Sequence, residues 1–570
     1  MSARTSRLAW GVAGVAVLAG LICLLHGRCL GYGLFMDDYA HFRQLRACDW
    51  SLAGLAGACR LELIGGVVEL WWLPEVTLRF FRPVAFGLMK LTYELSGWNP
   101  WVQHATSLAW HGAVCLLLVT LLRRLATPRW IAWSTAALFA IHPGHVGTVQ
   151  WIACQSELMV TAFLLGATLC WGRFRAWPGF ADDSGRRREW GLGAVACFAA
   201  ALGCRENAIM FPVLVGALEL RGENDRRRLL LTGAALVAVA AAYLAVRHVT
   251  LGGGSVPPRP YVVPPTAPDF GRFVVDKALY TLLGEYFLIP SVPIGGLAYF
   301  QARSLLFYGL ATPLVAALVA FCWWQRRRPL GWLGPLWLIL FMLPVLPVFT
   351  SPHHLYLPGV GWAVTIAFVV RGVAMVGRRR VWRGVAAAIV VGSGGLFAAA
   401  CYYFGLVFDT GQAVEDRVVA ELAAAPSGLH DGDTLYIANL PMVAHYAQLA
   451  VEEQTGKKGL RVVPLTWAQR LLGPATPAEL TWVDDRTIEI HITEDAYFSD
   501  ALGLLVREAT AHNIPDKIDR RADLGLRVRV LERAADGVAA LRFEFDRPPH
   551  EGPYHLFWGS RARWACEVRP

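Results

Sequence analysis

The sequence predicts a polytopic α-helical membrane protein with a small C-terminal α/β or α+β soluble domain. Three observations predict it. Hydrophobic residues fill 55% of the 570 positions and the mean hydropathy is +0.41, above the roughly 45–50% apolar content of soluble domains. Apolar stretches near the ~20 residues needed to cross a hydrocarbon core recur to about residue 405. Beyond that point the pattern shifts to short alternating stretches of the kind that form strands.

Charge is sparse, 17% of residues, and the net charge of +10 comes largely in short arginine runs. These are Arg123-Arg124, Arg173 to Arg175, Arg186 to Arg188, Arg226 to Arg228, Arg326 to Arg328 and Arg378 to Arg380. Basic runs between apolar segments set membrane topology, and they call for no nucleic-acid partner.

The first apolar segment, 8–27, follows Arg4 and Arg7. It exceeds the 7–15 residues of a signal-peptide core, so it reads as an uncleaved first transmembrane helix. Further spans are expected at 102–122, 130–142, 152–172, 190–204, 206–220, 229–249, 304–324, 330–349, 356–375 and 383–405, about 11 in all. With the N-terminus cytoplasmic, alternation leaves every arginine run inside and residue 406 onward outside. That describes a multi-pass protein of a bacterial inner membrane with two parts, a membrane domain at 1–405 and an exported domain at 406–570.

Two stretches fit no simple span. Residues 50–100 are broken by Glu62, Glu69, Glu75, Arg79, Arg82, Lys90 and Glu94, which suits helices lying in the interface. Residues 251–303 read as a long exported loop with a membrane-associated helix, because a span there would move Arg326 to Arg328 outside. In the C-terminal part, Leu435-Tyr436-Ile437, Leu460 to Val463, Thr487 to Ile492, Leu526 to Val530 and Leu541 to Phe545 predict strands, with a helix over 442–455. No repeat, catalytic triad or phosphate-binding loop stands out there.

The 12 cysteines show no metal-type spacing. Cys48 and Cys59 both fall in the first exported loop, where an oxidising compartment permits a disulfide between them. No cofactor is assigned; a divalent metal is compatible with paired acids, but nothing in the spacing demands one.

The polar groups of the membrane half gather at exported helix ends. The first is Asp37-Asp38, just past the first helix, where an acid must be solvated, paired or used. Next come Arg79 to Pro83 with Arg82, Gly97-Trp98-Asn99-Pro100, His104 and His111. Ile141 to His145 brings His142 and His145, with Glu157 beyond, and Arg205-Glu206-Asn207 sits between two spans. Ser351 to Pro358 carries His353, His354 and Tyr356. Acids, arginines and histidines on one face suit an anionic headgroup. Plainer accounts exist for some: Arg82 and Arg205 as snorkelling interfacial arginines, Arg205-Glu206 as an ion pair bracing a helical hairpin, and His111 as packing.

In this order and spacing the motifs Asp37-Asp38, Arg82-Pro83, Gly97 to Pro100 with His104, Ala137 to Pro143, Arg205-Glu206-Asn207 and Tyr356-Leu357-Pro358 resemble the GT-C glycosyltransferases. The closest likeness is to the membrane part of transmembrane, TPR-containing protein O-mannosyltransferases and their bacterial relatives, over roughly residues 8–405. The resemblance implies a glycosyltransferase of inverting hexosyl type, taking sugar from a polyprenyl-phosphate donor. It would pass the sugar to a hydroxyl of an acceptor protein or glycan at the exported face. Asp37 or Asp38 would be the base. Arg205, Arg82, His353 and Tyr356 would hold the donor phosphate. His104, His142, His145, Glu157, Glu206 and His354 are further candidates. The chain departs from the family at Gly147 and Thr148, where an acid is usual, and at Gln155 and His353, where arginines are usual. Its C-terminal part lacks TPR character. The alternatives are a flippase for lipid-linked sugars, which broken mid-membrane helices and inverted repeats would mark, and a non-catalytic envelope assembly protein.

Overall fold

The computed structural model describes residues 3–64, 66–72, 76–180, 186–220, 226–252, 262–288, 305–325, 328, 330–349, 351–375, 380–468, 477–493, 496–497, 517–521, 524–534, 537–560 and 563–570. Six helices are long and apolar enough to cross a membrane: Gly11–Gly31, Pro100–Arg124, Ile152–Arg175, Leu230–Leu251, His353–Met375 and Arg380–Ala423. The other five expected spans also fold as helices. Four of them, Arg129–Ala140, Arg187–Leu202, Phe211–Glu219 and Leu333–Met342, run 16 residues or fewer. The longest of these rises about 24 Å, short of the ~30 Å hydrocarbon core. The fifth, Leu305–Gln325, carries Pro313 within it. At 21 residues it rises about 31 Å, so seven of the eleven expected spans are long enough to cross among the described residues.

Proline and asparagine begin the second long helix. Pro100 takes the first helical position, and the Asn99 side chain accepts the Trp101 amide at 2.9 Å, satisfying one of the free donors at a helix start. The long helix Arg380–Ala423 has 44 residues and rises about 66 Å, more than twice the hydrocarbon thickness. Its far end packs Val418, Val419 and Leu422 into the core of the C-terminal part. The boundary expected at 405/406 thus falls inside one continuous helix.

The expectation of interfacial helices over residues 50–100 needs correction. Asp37–Ala47, Leu52–Gly57 and Pro83–Leu95 are helical, but Arg60–Ile64 and Val76–Arg79 pair as an antiparallel hairpin. The period-two pattern of Arg60-Leu61-Glu62-Leu63-Ile64 explains it. Between these strands Trp71 and Trp72 enter the C-terminal core, Trp71 Nε1 donating to Leu465 O at 2.9 Å. Glu75 and residues 289–303 of the expected loop lie outside the described residues.

The C-terminal part contains two sheets. One has strand order Cys566–Glu567, Tyr554–Trp558, Thr434–Ala438, Arg461–Pro464, with the last three parallel. The helix Ala447–Thr455 connects two of those parallel strands. The other sheet is antiparallel: Ala478–Asp484, Thr487–Ile492, Gly537–Phe545, Leu526–Ala534, Lys517–Arg521. All five expected strands are present.

Candidate active site at one end of the helices

The acid pair opens the helix Asp37–Ala47. Met36, just before it, has φ 49° and ψ −120°, a conformation costly for any residue with a side chain. It persists because neighbours hold it from several sides. The Met36 amide donates to the buried Glu415 carboxylate, at 3.1 and 3.3 Å to its two oxygens. Phe35 N donates to Asp38 Oδ2 at 3.1 Å and Ala153 N to Asp38 Oδ1 at 2.7 Å. Both Asp38 oxygens are thus engaged by backbone, and the side chain is fully buried.

The two acids have opposite environments. Burial pushes the Asp38 carboxyl well above its ordinary range, against the pull of the Ala153 and Phe35 amides and with help from Asp37. Asp37 is 37% open and faces His445 Nε2 at 3.6 Å. Burial would raise it too, but His445 and His41 outweigh that and hold it below the usual carboxylate range.

The segment that binds Asp38 leads directly to the arginines. Ala153 precedes the helix Gln155–Arg175, and Glu157 in its first turn pairs with Arg205 Nε at 2.8 Å. Arg205 Nη1 also donates to Ser156 Oγ at 3.4 Å. Arg82 Nε lies 3.4 Å from Glu206 Oε2, its guanidinium 4.4 Å over the Phe80 ring. Cys154 sits within electrostatic reach of Arg205, Glu157, Asp37 and Asp38 alike. His353 and His354 lie in the fields of Arg205, Arg82 and Lys277. The arrangement therefore brings Asp37, Asp38, Arg82, Arg205, Glu157, Glu206, His353 and His354 to one end of the helices. The Arg205–Glu206 pairing expected from adjacency is replaced by Arg205–Glu157 and Arg82–Glu206, because adjacent side chains point apart while neighbouring helix ends meet.

Tyr356, His142 and His145 go elsewhere. Tyr356, expected at the donor phosphate, donates its hydroxyl to His111 Nδ1 at 2.6 Å, and His111 Nε2 donates to Ala140 O at 3.0 Å. His145 packs at a tilt against the Tyr356 ring, centroids 4.7 Å apart, and donates from Nδ1 to Phe139 O at 2.8 Å. His142 accepts the Gly144 amide and donates to Tyr286 O. This is a packed knot of rings, in keeping with the packing role expected for His111. His104 donates to Gly33 O at 3.1 Å, just before the acid turn. Cys48 and Cys59 are both free thiols.

Three site residues escaped the sequence analysis. Glu415 and His445 carry no local signal, since both reach the acid turn from distant parts of the chain. Lys277 did give one, as a cation interrupting an apolar stretch. It is buried, and its Nζ donates to the carbonyls of Val345, Val348 and Phe349. Burial pushes it down to about 7, opposed by Glu285. Three carbonyls match the three hydrogens of an ammonium, so Lys277 organises the chain leading to His353. Among the described residues no group of three or more His, Cys, Asp and Glu is placed to hold a metal ion.

No protein-family model matches the chain. The chain resembles the GT-C class of membrane glycosyltransferases. Within that class, 168 residues are 29% identical to the protein O-mannosyl-transferase TMTC1 of Homo sapiens, covering 28% of this chain and 18% of that protein. A stretch of 214 residues is 27% identical to Tmtc1 of Drosophila melanogaster, covering 37% of this chain and 23% of the relative. The matched stretches thus span about a fifth of these relatives' length. Among solved structures, the oligosaccharyltransferase AglB of Archaeoglobus fulgidus with an inhibitory peptide and a dolichol-phosphate overlaps 78% of this chain and 64% of its own. That overlap has 13% identity and a TM-score of 0.45. ArnT of Cupriavidus metallidurans bound to undecaprenyl phosphate overlaps 80% and 86%, with 14% identity and a TM-score of 0.40. Overlaps at these scores carry no argument about activity.

Proposed function

We propose that the chain is a membrane glycosyltransferase that moves a sugar from a polyprenyl-phosphate donor to an acceptor hydroxyl. The observation that carries this is the segment 153–157, which holds Asp38 through the Ala153 amide and Arg205 through Glu157, about one helical turn apart. The turn that carries the acid pair and the Arg205 cation are thereby tethered to one short segment. The arginine runs favour an orientation with the N-terminus cytoplasmic and this end of the helices at the exported face.

In the reaction, the acceptor oxygen bonds to the anomeric carbon as the bond from that carbon to the phosphate oxygen breaks. The hydroxyl proton passes to a carboxylate, and the polyprenyl phosphate leaves with its negative charge against Arg205 and Arg82. Attack opposite the leaving group inverts that carbon. We take Asp37 as the base, because it is partly open and held ionised. Asp38, with both oxygens tied to backbone amides, positions the turn. The similarity to protein O-mannosyl-transferases favours a hexose as the sugar.

Asp37→Asn should cut transfer on the order of a hundredfold to ten-thousandfold while leaving donor binding largely intact. Mass spectrometry of exported glycoproteins and envelope glycans, from cells with wild type, the variant or neither, reads the loss. Full transfer by Asp37→Asn would remove it as the base.

A further inference from the structure

We propose that His445 is a positioning residue for Asp37, so that the C-terminal domain completes the acid site of the membrane half. The proposal rests on the assignment of Asp37 as the base. His445 Nδ1 donates to Met442 O at 2.8 Å, and its Nε2 faces Asp37 Oδ1 at 3.6 Å. A carbonyl oxygen only accepts, so Nδ1 carries a hydrogen. Nε2 is therefore the ring atom turned to the Asp37 carboxylate, and a second ring hydrogen there would point at Oδ1.

The ring is fixed in place. Tyr446, the next residue, is buried, contacts the His445 ring at 4.2 Å, and packs with Ala40, Leu61 and Leu78 of the membrane half. Arg43 pairs with Glu452 at 2.5 Å and Arg46 with Glu453 at 3.4 Å, so the acid helix is tied to Ala447–Thr455 along its length. A flexible surface histidine would have none of these restraints.

Other groups facing Asp37 contribute less than His445 to holding its carboxyl down. His41, one turn along the same helix, is held down to about 4 by burial, with Arg82 adding to that and Asp37 opposing it. It is neutral at ordinary pH. Arg82 is engaged by Glu206. Asp38 and Glu415 are acids, and Cys154 is a buried thiol. His445, which approaches from the C-terminal domain, does most to hold the Asp37 carboxyl down, with the Tyr446 hydroxyl and, at the acid pH where both titrate, His41 adding to it. An acceptor bound across the two halves would therefore meet Asp37 with His445 beside it.

The test uses the full chain in lipid nanodiscs, with undecaprenyl-phosphate mannose as donor probe and two readouts. Water-soluble carbodiimide with glycine ethyl ester labels protonated carboxyls, and peptide mass spectrometry reads the pH at which Asp37 begins to react. Donor turnover across pH 5 to 8 gives kcat and KM. His445→Gln should move the onset of Asp37 labelling to higher pH and lower kcat at the acid end of the range, by less than the two- to fivefold an exposed ion pair is worth, with donor KM unchanged. His445→Lys, which keeps the charge, should restore both. Arg43→Ala weakens docking without touching Asp37 and should leave the labelling onset where it is. Wild-type labelling in His445→Gln, or an equal shift in Arg43→Ala, would overturn the proposal. If His445→Gln fails to fold, the comparison of His445→Lys with Arg43→Ala decides. Asp37→Asn separates the two levels. If it keeps turnover, the base assignment fails. If it is inactive while His445→Gln behaves as wild type, only the role of His445 fails.

Discussion

The helix Gln155–Arg175 has a buried arginine–glutamate pair at each end, and the two are finished differently. At its C-terminal end Arg175 and Glu219 meet at 3.0 Å, with both side chains almost wholly enclosed. Trp171 and Trp177 both donate to Glu219 Oε1, and Arg175 Nε donates to Oε2 at 3.1 Å. Each acceptor there is used. At the N-terminal end, Arg205 and Glu157 are equally close, but polar atoms around them are left over. His354 Nδ1 and Asn207 Oδ1 are buried without a hydrogen-bond partner among the described residues. The neighbouring Arg82–Glu206 pair is a looser 3.4 Å, with Glu206 a third open. Buried polar atoms are normally satisfied. One pair is a completed brace, and the other leaves polar atoms over, as the proposed donor-phosphate site requires.

The largest effect should come from breaking the brace. Arg175→Met leaves Glu219 buried without its cation and should cost about 3–5 kcal/mol of stability, seen as a large drop in Tm. Donor binding by the folded fraction should be unchanged. Replacing both partners, Arg175→Met with Glu219→Leu, should recover much of the loss.

The same pair of experiments at the other end should give a different answer. Arg205→Gln should weaken donor binding by roughly 10- to 100-fold, the worth of a charge-assisted hydrogen bond. The double change Arg205→Met with Glu157→Leu should recover stability without recovering binding. Titration with undecaprenyl-phosphate mannose beside thermal melts separates these outcomes. A double variant that binds donor like wild type would make the second pair a brace as well.

The smallest effect is a pH dependence. Asp37 is held below the usual carboxylate range by His445 and His41 against the opposing effect of burial. Its folded-state interactions therefore add stability above that range and lose it as pH falls through it. Because the group is partly open, the contribution should be under about 1 kcal/mol after solvent screening. Melts of wild type and Asp37→Asn should differ most near pH 7 and converge only as pH falls below about 4. A gap that stays constant would show that Asp37 makes no ionised contact in the folded state.

What the sequence determined by itself is what depends on neighbours along the chain. Apolar length marked the long helices, because a helix satisfies its own backbone and only its side chains meet lipid. Period-two alternation marked Thr487–Ile492 and residues 541–545 as strands, and motif order marked Asp37, Asp38, Arg82 and Arg205 as belonging to one constellation. The tertiary structure alone decided which charge meets which. Arg205 turned from its neighbour Glu206 to Glu157, Tyr356 turned inward to His111, and Trp71 and Trp72 left the membrane half for the C-terminal core. Glu415 and His445 reached the acid turn from far along the chain. A buried charge takes the partner that packing places within a few ångströms, and in a bundle of helices that distance is unrelated to separation in sequence.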